Sequence, residues 1–310
     1  MNKAIIAWIG RILMIAAICF IVYLFRKQQI DFSVLNSGKI IAGLTFAAVV
    51  YAFNIVFGSF CYCYILAILS GKRLNRPRVM RAYCEANIYR YIPGNVMHYI
   101  GRNRIAANED IAYANVNIAS LVEIIALSLS AVILSLLSVN SIAVDYLKNI
   151  SLETKHIVFV AAALLVIAVV VLFFRKKLRR FARDFKDKIL NVTVRQGAIF
   201  CGGTCVRLVV NALIYLFCLS LLGVTDMGEF AVTIAGLFIL SWLIGFITPG
   251  APGGLGIREA MMVMFLNHVV NDDVLFISAV AFRLICVAGD IMAWLGTWLT
   301  GRGSEPMSFS

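Results

Sequence analysis

Residues 245–259, GFITPGAPGGLGIRE, place a proline- and glycine-rich break and two charges between stretches of almost uninterrupted apolar sequence. Pro249, Pro252 and the nearby glycines exclude a continuous helix, and the stretch from Ile257 onward predicts a new helix whose first N–H groups face the break. Irregular backbone persists at membrane depth only where it is packed in protein or lines a watery cavity. The break therefore predicts a binding site within the membrane.

The start of the helix predicted after the break is suited to an anion, because free N–H groups at a helix N-terminus attract negative charge. Arg258 lies in this first turn, where a cation opposes the helix dipole unless a negative ligand or partner is present. Glu259 is the nearest such partner. The alternative is an ordinary loop between two spans, with Arg258 extending its side chain to the interface. The candidate residues of this segment are Pro249, Gly250, Gly253, Gly254, Gly256, Arg258 and Glu259.

Composition assigns the chain to the helical membrane proteins. Hydrophobic residues make up 62% of the 310 positions and charged residues 14%, and several apolar runs approach the roughly 20 residues needed to span hydrocarbon. The sequence predicts an all-α polytopic membrane protein of about seven or eight transmembrane helices, with one or two re-entrant breaks rich in proline and glycine. The predicted apolar segments are residues 5–25, 40–69, 116–137, 157–174, 198–222, 230–247, 257–270 and 274–299.

These segments are expected to form one transmembrane domain, residues 1–302, followed by a short cytoplasmic tail at 303–310. Residues 83–104 are predicted to be an interfacial or re-entrant segment, and residues 248–257 the glycine-rich break. The first apolar run is too long for a typical signal-peptide core and no cleavage site follows it, so we interpret it as retained. Dense positive charge in the loops at 72–81 and 175–188 predicts that both loops and both termini are cytoplasmic in a plasma membrane.

The formal net charge of +12 and the eight cysteines are interpreted through topology and packing. The positive residues cluster in short loops beside apolar spans, and no nucleic-acid motif accompanies them, so no nucleic-acid partner is expected. The cysteines lie mostly in apolar runs and lack the spacing of metal ligands. They are interpreted as packing residues, and neither a metal nor another cofactor is predicted.

A second proline-glycine break lies in the first half of the chain. There, Pro93 and Gly94 are followed by Arg102, nine positions after the proline. Arg258 follows Pro249 at the same spacing. Two short breaks in different halves of a membrane protein indicate a substrate site between structural repeats. Both breaks fall on the predicted cytoplasmic side, however, which argues against a simple inverted repeat.

Charged and polar side chains also lie deep within the predicted spans. They are Glu123, Arg207, Asn211, Arg283 and Asp290. A charge at such depth costs about 2.5–3.5 kcal/mol on insertion scales, so these groups are expected to face the bundle interior and to pair. In one interpretation the two acids and two arginines are ion pairs that lock the bundle. In the interpretation that we favour, an excess of arginines, with Arg102 and Arg258 added, draws an anionic headgroup into a polar cleft.

An enzymatic function is an alternative to these binding interpretations. His268 and Asp273 form H-x4-D, the spacing of glycerolipid acyltransferases, in which histidine acts as the base. Their predicted loop is external and no partner motif follows, so the match is interpreted as incidental. Neither G-x4-G-K-[ST] nor H-E-x-x-H occurs in the chain, which removes support for ATP-driven transport and zinc hydrolysis. A lipid-modifying enzyme and a noncatalytic partner of a cell-envelope assembly complex remain as alternatives.

Several of these motifs together resemble the lysylphosphatidylglycerol synthase transmembrane-region family, also called flippase-like integral membrane proteins. The resemblance covers nearly the whole chain and is carried by YIPGN with its following Gly-Arg, Glu123, TPGAPGGLGIRE, and Arg283 with Gly289 or Gly296 beyond it. The residues that match the family's glycine-rich signature are Pro249, Gly250, Gly253, Gly254, Gly256 and Glu259. Ile124 stands where the family commonly has an arginine, and a nearby second acid is missing.

The resemblance implies a lipid translocase. Its substrate would be a lipid with an anionic or phosphate-bearing headgroup, such as an aminoacyl-phospholipid, a glycolipid or a polyprenyl-linked glycan. The best-known members resemble the membrane half of the multiple peptide resistance factor, which moves aminoacylated phosphatidylglycerol between leaflets. Because this chain ends shortly after its last predicted span, we expect no aminoacyltransferase domain. The expected partners are therefore the membrane lipid, a separate lipid- or glycan-synthesising enzyme and, as a further candidate, a second copy of the chain.

Overall fold

The computed structural model describes residues 37–91, 97–138, 185, 188–190, 192–224, 227–247, 256–266 and 270–300. These residues are almost entirely helical, and no β-strand occurs among them. The predicted spans at 5–25 and 157–174 and the tail at 303–310 lie outside the described residues. The same is true of Pro93, Gly94, Pro249, Gly250, Gly253, Gly254 and His268.

Long apolar helices dominate this part of the chain. The helices are α1 (Gly38–Ser70), α2 (Arg76–Ile88), α3 (Met97–Gly101), α4 (Asn103–Asn108), α5 (Tyr113–Ser138), α6 (Val194–Leu221), α7 (Ala231–Ile247), α8 (Ile257–Leu266) and α9 (Asp272–Thr300), with 3-10 turns at Tyr89–Tyr91 and Gly228–Phe230. Among the described residues, α1, α5, α6 and α9 are the four helices long and apolar enough to cross a membrane. The shorter α7 is also apolar. The prediction of a helical membrane protein is thus confirmed.

The chain divides into two compact units, residues 1–138 with 199–310, and residues 139–198. The first unit holds all the site residues discussed below. Of the second unit, the structure describes residues 185, 188–190 and 192–198, which include the first turn of α6. There, Thr193 Oγ1 accepts a hydrogen bond from the Gln196 N–H, and Gln196 Oε1 accepts one from the Thr193 N–H. This reciprocal capping box explains why α6 begins at Val194.

An aromatic cluster from four helices lies in the core of the first unit. Tyr215 of α6 stacks on Phe238 of α7, with ring centroids 4.5 Å apart. Phe282 of α9 meets both rings edge-on, and Tyr51 of α1 meets Phe282 in the same way. Such pairs contribute about 0.5–1.5 kcal/mol each beyond the area they bury. The cluster therefore ties α1, α6, α7 and α9 together.

Small polar side chains connect the spans elsewhere. Ser130 of α5 and Thr204 of α6 are hydrogen-bonded at 2.8 Å, and Ser135 of α5 donates to the Gly236 carbonyl of α7 at 3.2 Å. Interhelical hydrogen bonds of this kind contribute about 0.6 kcal/mol on average in membrane proteins. Their value here is to fix the rotation of α5, which carries Glu123 towards the interior.

The helix α2 begins inside the stretch that we expected to be a basic loop, residues 72–81. Asn75 is its N-cap, and Asn75 Oδ1 accepts a hydrogen bond from the Arg78 N–H. Pro77 lies in the first turn, where its missing N–H costs nothing and its fixed φ suits a helix. Residues 76–81 are therefore helical. The predicted interfacial segment, 83–104, contains the end of α2, the turn Tyr89–Tyr91, α3 and the start of α4.

Replacing Gly289 by alanine is expected to destabilise the packing of α9 on α1. The added Cβ would lie 2.6 Å from Tyr51 Cδ1 and 2.9 Å from the Ala48 carbonyl oxygen. Because that oxygen belongs to helix backbone, the two helices must move apart, at a cost of about 1–3 kcal/mol. We expect a lower thermal midpoint for the purified variant. Gly296→Ala on the same helix is the control, since its Cβ would meet nothing within 4 Å; equal midpoints for the two variants would contradict the close approach.

Candidate functional site

A cavity of about 100 Å³ lies between the helices of the first unit. Five arginines line it, and we therefore name it the arginine cavity: Arg90, Arg102, Arg207, Arg258 and Arg283. Its other polar lining includes Asn54, Tyr83, His98, Tyr99, Glu123 and Asn211. Trp242, Phe246 and Phe282 contribute aromatic surface. A cavity of this size holds several water molecules or one small charged group.

The structure brings most of the described candidate residues to this cavity. Those that line it are Arg102, Glu123, Arg207, Asn211, Arg258 and Arg283. Asp290 and Glu259 do not line it but contact arginines that do. The two arginines that follow a proline-glycine pair at the same spacing, Arg102 and Arg258, meet in one cavity although they are distant in the sequence.

Glu123 of α5 is the centre of the first charge cluster. Its carboxylate is only 3% exposed and accepts hydrogen bonds from Arg102 and from Arg207, the latter at 2.8 Å. The Tyr83 hydroxyl donates to the same carboxylate at 2.6 Å. The Arg102 guanidinium also lies 4.2 and 4.7 Å from the ring centroids of Tyr83 and Tyr62, within the range of cation–π attraction. One acid thus faces two arginines in this cluster.

Arg207 of α6 reaches Glu123 because α1 carries a glycine beside it. A Cβ on Gly58 would lie 2.6 Å from Arg207 Cζ, so a side chain at that position would collide with the guanidinium. Asn54, one turn earlier in α1, donates to the Arg207 carbonyl and to Asn211 Oδ1, both at 3.0 Å. The small residue and the amide together hold α1 and α6 close.

Asp290 of α9 is the centre of the second cluster. Its buried Oδ1 lies 3.5 Å from Arg90 Nη2, and its Oδ2 accepts a hydrogen bond from the Tyr91 hydroxyl at 2.7 Å. Arg90 also donates to the Tyr51 hydroxyl at 3.2 Å. We expected the partner of Asp290 to be an arginine within the spans, but its partner is Arg90, from the turn after α2. Arg90 was not among the predicted site residues; its only signal was its place in the tyrosine-rich segment before Pro93.

The third group of charges lies where α8 begins. Glu259 Oε2 accepts a hydrogen bond from the Gly256 N–H at 2.7 Å, as the acidic residue of a capping box does. Gly256 has a φ of 82°, a conformation that glycine adopts readily. Glu259 Oε1 lies 3.5 Å from Arg283 Nε. Glu259 therefore stabilises the helix start and faces Arg283, whereas we expected it to be the partner of Arg258.

Arg258 is a buried cation without an acidic partner in the described part of the chain. Arg258 is 8% exposed. The ion pairs at the cavity are formed by the other four arginines with Glu123, Asp290 and Glu259. The Arg258 Nε has no hydrogen-bond partner, and its guanidinium lies 6.0 Å from the Trp242 ring centroid. A buried, unpaired charge is costly. A negatively charged ligand would offset that cost.

His98 of α3 lines the cavity as a neutral group. Burial, together with the charges of Arg102 and Arg90, lowers the pKa of His98 to about 3. The imidazole is therefore uncharged at neutral pH, and it contributes hydrogen-bonding capacity rather than charge. Three acids pair with four of the five arginines in the described part of the chain: Glu123, Asp290 and Glu259. Among these described residues, the positive charges exceed the negative ones by two.

Of the H-x4-D pair, which we interpret as incidental, Asp273 alone lies within the described residues. Asp273 is exposed in the first turn of α9, where its N–H donates to Asn271 Oδ1 at 2.9 Å, and it does not line the arginine cavity. Among the described residues, no group of three or more His, Cys, Asp or Glu side chains is arranged to hold a metal ion.

Comparison with models of known protein families finds no match for this chain, and no curated protein matches it.

Proposed function

We propose that this protein is a membrane lipid translocase that holds a lipid by its anionic or phosphate-bearing headgroup in the arginine cavity and moves it between leaflets. The observation that carries the proposal is Arg258, buried and without an acidic partner among the described residues. A charge at membrane depth normally pairs. A lipid phosphate would supply the missing negative charge, and a guanidinium binds phosphate oxygens through two parallel N–H donors.

The charge of the arginine cavity supports an anionic ligand over a neutral or cationic one. Among the described residues, its excess of two positive charges comes from the guanidinium groups of arginines. Low local dielectric strengthens the attraction between these charges and an anion compared with the same attraction in water. The same arginines would repel a cation that enters the cavity.

The position of the cavity supports a lipid over a water-soluble anion. Each of the four candidate membrane-spanning helices contributes a polar side chain to its lining: Asn54 from α1, Glu123 from α5, Arg207 from α6 and Arg283 from α9. With a volume of about 100 Å³, it accommodates a phosphate-sized group and not a whole lipid. The acyl chains would then remain in hydrocarbon while the headgroup enters the cavity. Ionisable residues within a membrane typically mark such a substrate pathway.

We further propose that the protein is a member of the lysylphosphatidylglycerol synthase transmembrane-region family. In support, Glu259 and Gly256 of the glycine-rich signature form a capped helix start beside the cavity, and Glu123 binds two of the cavity arginines. On this basis we propose about seven or eight spans in the plasma membrane, with both termini cytoplasmic. A separate lipid- or glycan-synthesising enzyme would supply the substrate.

Proteoliposomes containing the purified protein test the proposed function. With fluorescent phosphatidylglycerol, the protein should increase the fraction of label that externally added dithionite destroys over time. The rate with phosphatidylcholine carrying the same label should be lower by about tenfold, equivalent to about 1.4 kcal/mol of charge selectivity. Mass spectrometry of the recovered lipid should show an unchanged mass. A rate independent of headgroup charge would contradict the proposal, and a product of altered mass would favour a lipid-modifying enzyme instead.

A further inference from the structure

A second concave surface lies where α1 ends, apart from the arginine cavity. It is a groove of about 350 Å³. Its apolar and aromatic lining comes from Phe60, Cys63, Tyr64, Ala67 and Leu74, and its basic lining from Lys72, Arg73 and Arg76. Because α1 is a membrane-spanning candidate, the basic residues that follow it are expected at the membrane surface. The groove, which we name the α1-end groove, therefore leads from apolar surroundings to a charged edge.

Lys72 is already engaged at this edge. Its ammonium lies 3.5 Å from Asp110 Oδ2, and it also donates to the Asp110 carbonyl oxygen. A second acid close in sequence, Glu109, accepts a hydrogen bond from the Asn75 N–H at 2.8 Å. Neither acid lines the groove. Asp110 is held by Lys72 and Glu109 Oε2 by the Asn75 N–H, and among the described residues neither acid forms an ion pair with Arg73 or Arg76.

Arg73 and Arg76 supply the remaining positive charge. Both residues are exposed, and among the described residues neither forms an ion pair. The Arg76 guanidinium lies 5.8 Å from the Phe60 ring centroid, where a cation–π contact holds it over the aromatic end of the groove. Two available guanidinium groups thus border an apolar channel.

We propose that the α1-end groove binds an anionic phospholipid, with its phosphate at Arg73 and Arg76 and one acyl chain along the apolar lining. This site is distinct from the arginine cavity and does not depend on translocation. Its lipid would be a resident one, seated at the junction of α1 and α2.

A phospholipid fits the groove better than a free phosphate does. Phe60 is 47% exposed and belongs to a candidate membrane-spanning helix, so the apolar end of the groove is expected to face hydrocarbon, which an acyl chain occupies and a soluble anion does not enter. Basic side chains beside a membrane surface attract anionic headgroups, with an effect of about fivefold in affinity for each cation. The groove combines both features within one surface.

Site-resolved crosslinking tests the proposal. A phosphatidylglycerol with a photoactivatable diazirine in one acyl chain is titrated into the purified protein, and adducts are mapped by peptide mass spectrometry. We expect adducts on residues 60–67, formed at lower lipid concentration than with the phosphatidylcholine of the same chains. The double variant Arg73→Gln/Arg76→Gln loses both positive charges, and its half-saturating concentration of phosphatidylglycerol should be about 30-fold higher than that of the parent. Ala67→Phe, which fills the apolar lining without changing charge, should reduce labelling as well.

The matched control is Arg78→Gln. Arg78 is an exposed arginine on the same helix as Arg76 but does not line the groove, so its loss should leave labelling at the parental level. Equal labelling by the two lipids, or labelling unaffected by the double arginine change, would overturn the proposal. Displacement by glycerol phosphate at the concentration at which the intact lipid displaces the probe would also overturn it, because a free anion would then suffice.

Discussion

Glu123→Ala is expected to yield little or no folded protein. The carboxylate is buried at 3% exposure and accepts hydrogen bonds from Arg102, Arg207 and Tyr83. Its removal leaves the guanidinium groups of Arg102 and Arg207, with side chains 3% and 12% exposed, without the acid that they share. Removing one partner of a buried ion pair typically costs about 3–5 kcal/mol, a large share of the 5–15 kcal/mol by which native proteins are typically stable. Here one change breaks two such pairs.

The measurement is the yield of monodisperse protein on size exclusion, followed by the thermal midpoint of whatever folds. Glu85→Ala is the matched control, because Glu85 pairs with Arg104 at 2.6 Å in a position where the arginine is 44% exposed. The Glu85 side chain is 19% exposed and also accepts a hydrogen bond from the Tyr89 hydroxyl. Because this pair is partly open to solvent, its loss should cost less than the loss of Glu123, and the variant should stay closer to the parent. A Glu123→Ala protein with a parental yield and midpoint would show that the cluster does not hold the bundle together.

Arg258→Gln is expected to have the opposite profile, with binding lost and stability kept. The side chain is buried and has no acidic partner among the described residues, so its charge opposes folding rather than supporting it. If an anionic headgroup is its partner, affinity should fall by about ten- to a hundredfold, since a hydrogen bond to a charged group contributes about 1.5–3 kcal/mol. Arg258→Lys should be intermediate, because it keeps the charge and loses the two parallel donors.

Lipid affinity and thermal midpoint are measured on the same preparations, with phosphatidylglycerol as ligand. Arg195→Gln, an exposed arginine near the start of α6, is the control for a general loss of positive charge. A midpoint at or above the parental one, combined with weak binding, is the signature of a ligand-binding residue. A fall in the midpoint with unchanged affinity would mean that Arg258 is a structural residue, and the headgroup would then have to bind elsewhere.

The long helices were predictable from sequence because hydrocarbon imposes a minimum length on an apolar run. Segment 116–137 became α5 and segment 274–299 became α9 with boundary shifts of three residues or fewer. For these helices the signal lies within a short stretch of chain. Arg102 and Arg258 both line the arginine cavity, but they are far apart in the sequence, so their convergence depends on how the helices pack and not on the spacing that they share.

Charge pairing was not predictable in the same way. Tyr91 and Asp290 are 199 positions apart in the sequence, and nothing local shows that the turn after α2 packs beside α9. The position of Glu259 is similar: its neighbour Arg258 is adjacent in the chain, but one oxygen is held by the Gly256 N–H, and the other faces Arg283. Adjacent helical residues point to different faces, so sequence proximity indicated the wrong arginine.

The sharing of Glu123 between two arginines has a consequence for ligand affinity. Arg102 and Arg207 each donate to this carboxylate through one guanidinium nitrogen, Nη1, whereas the buried Arg102 Nε has no hydrogen-bond partner. An anion entering the cavity competes with the internal carboxylate for the two Nη1 groups, and a hydrogen bond gained there is exchanged for one that Glu123 gives up. This exchange reduces the net free energy that the protein gains by binding the anion. In the lipid translocase that we propose, this exchange would let several arginines bind a charged headgroup and still release it.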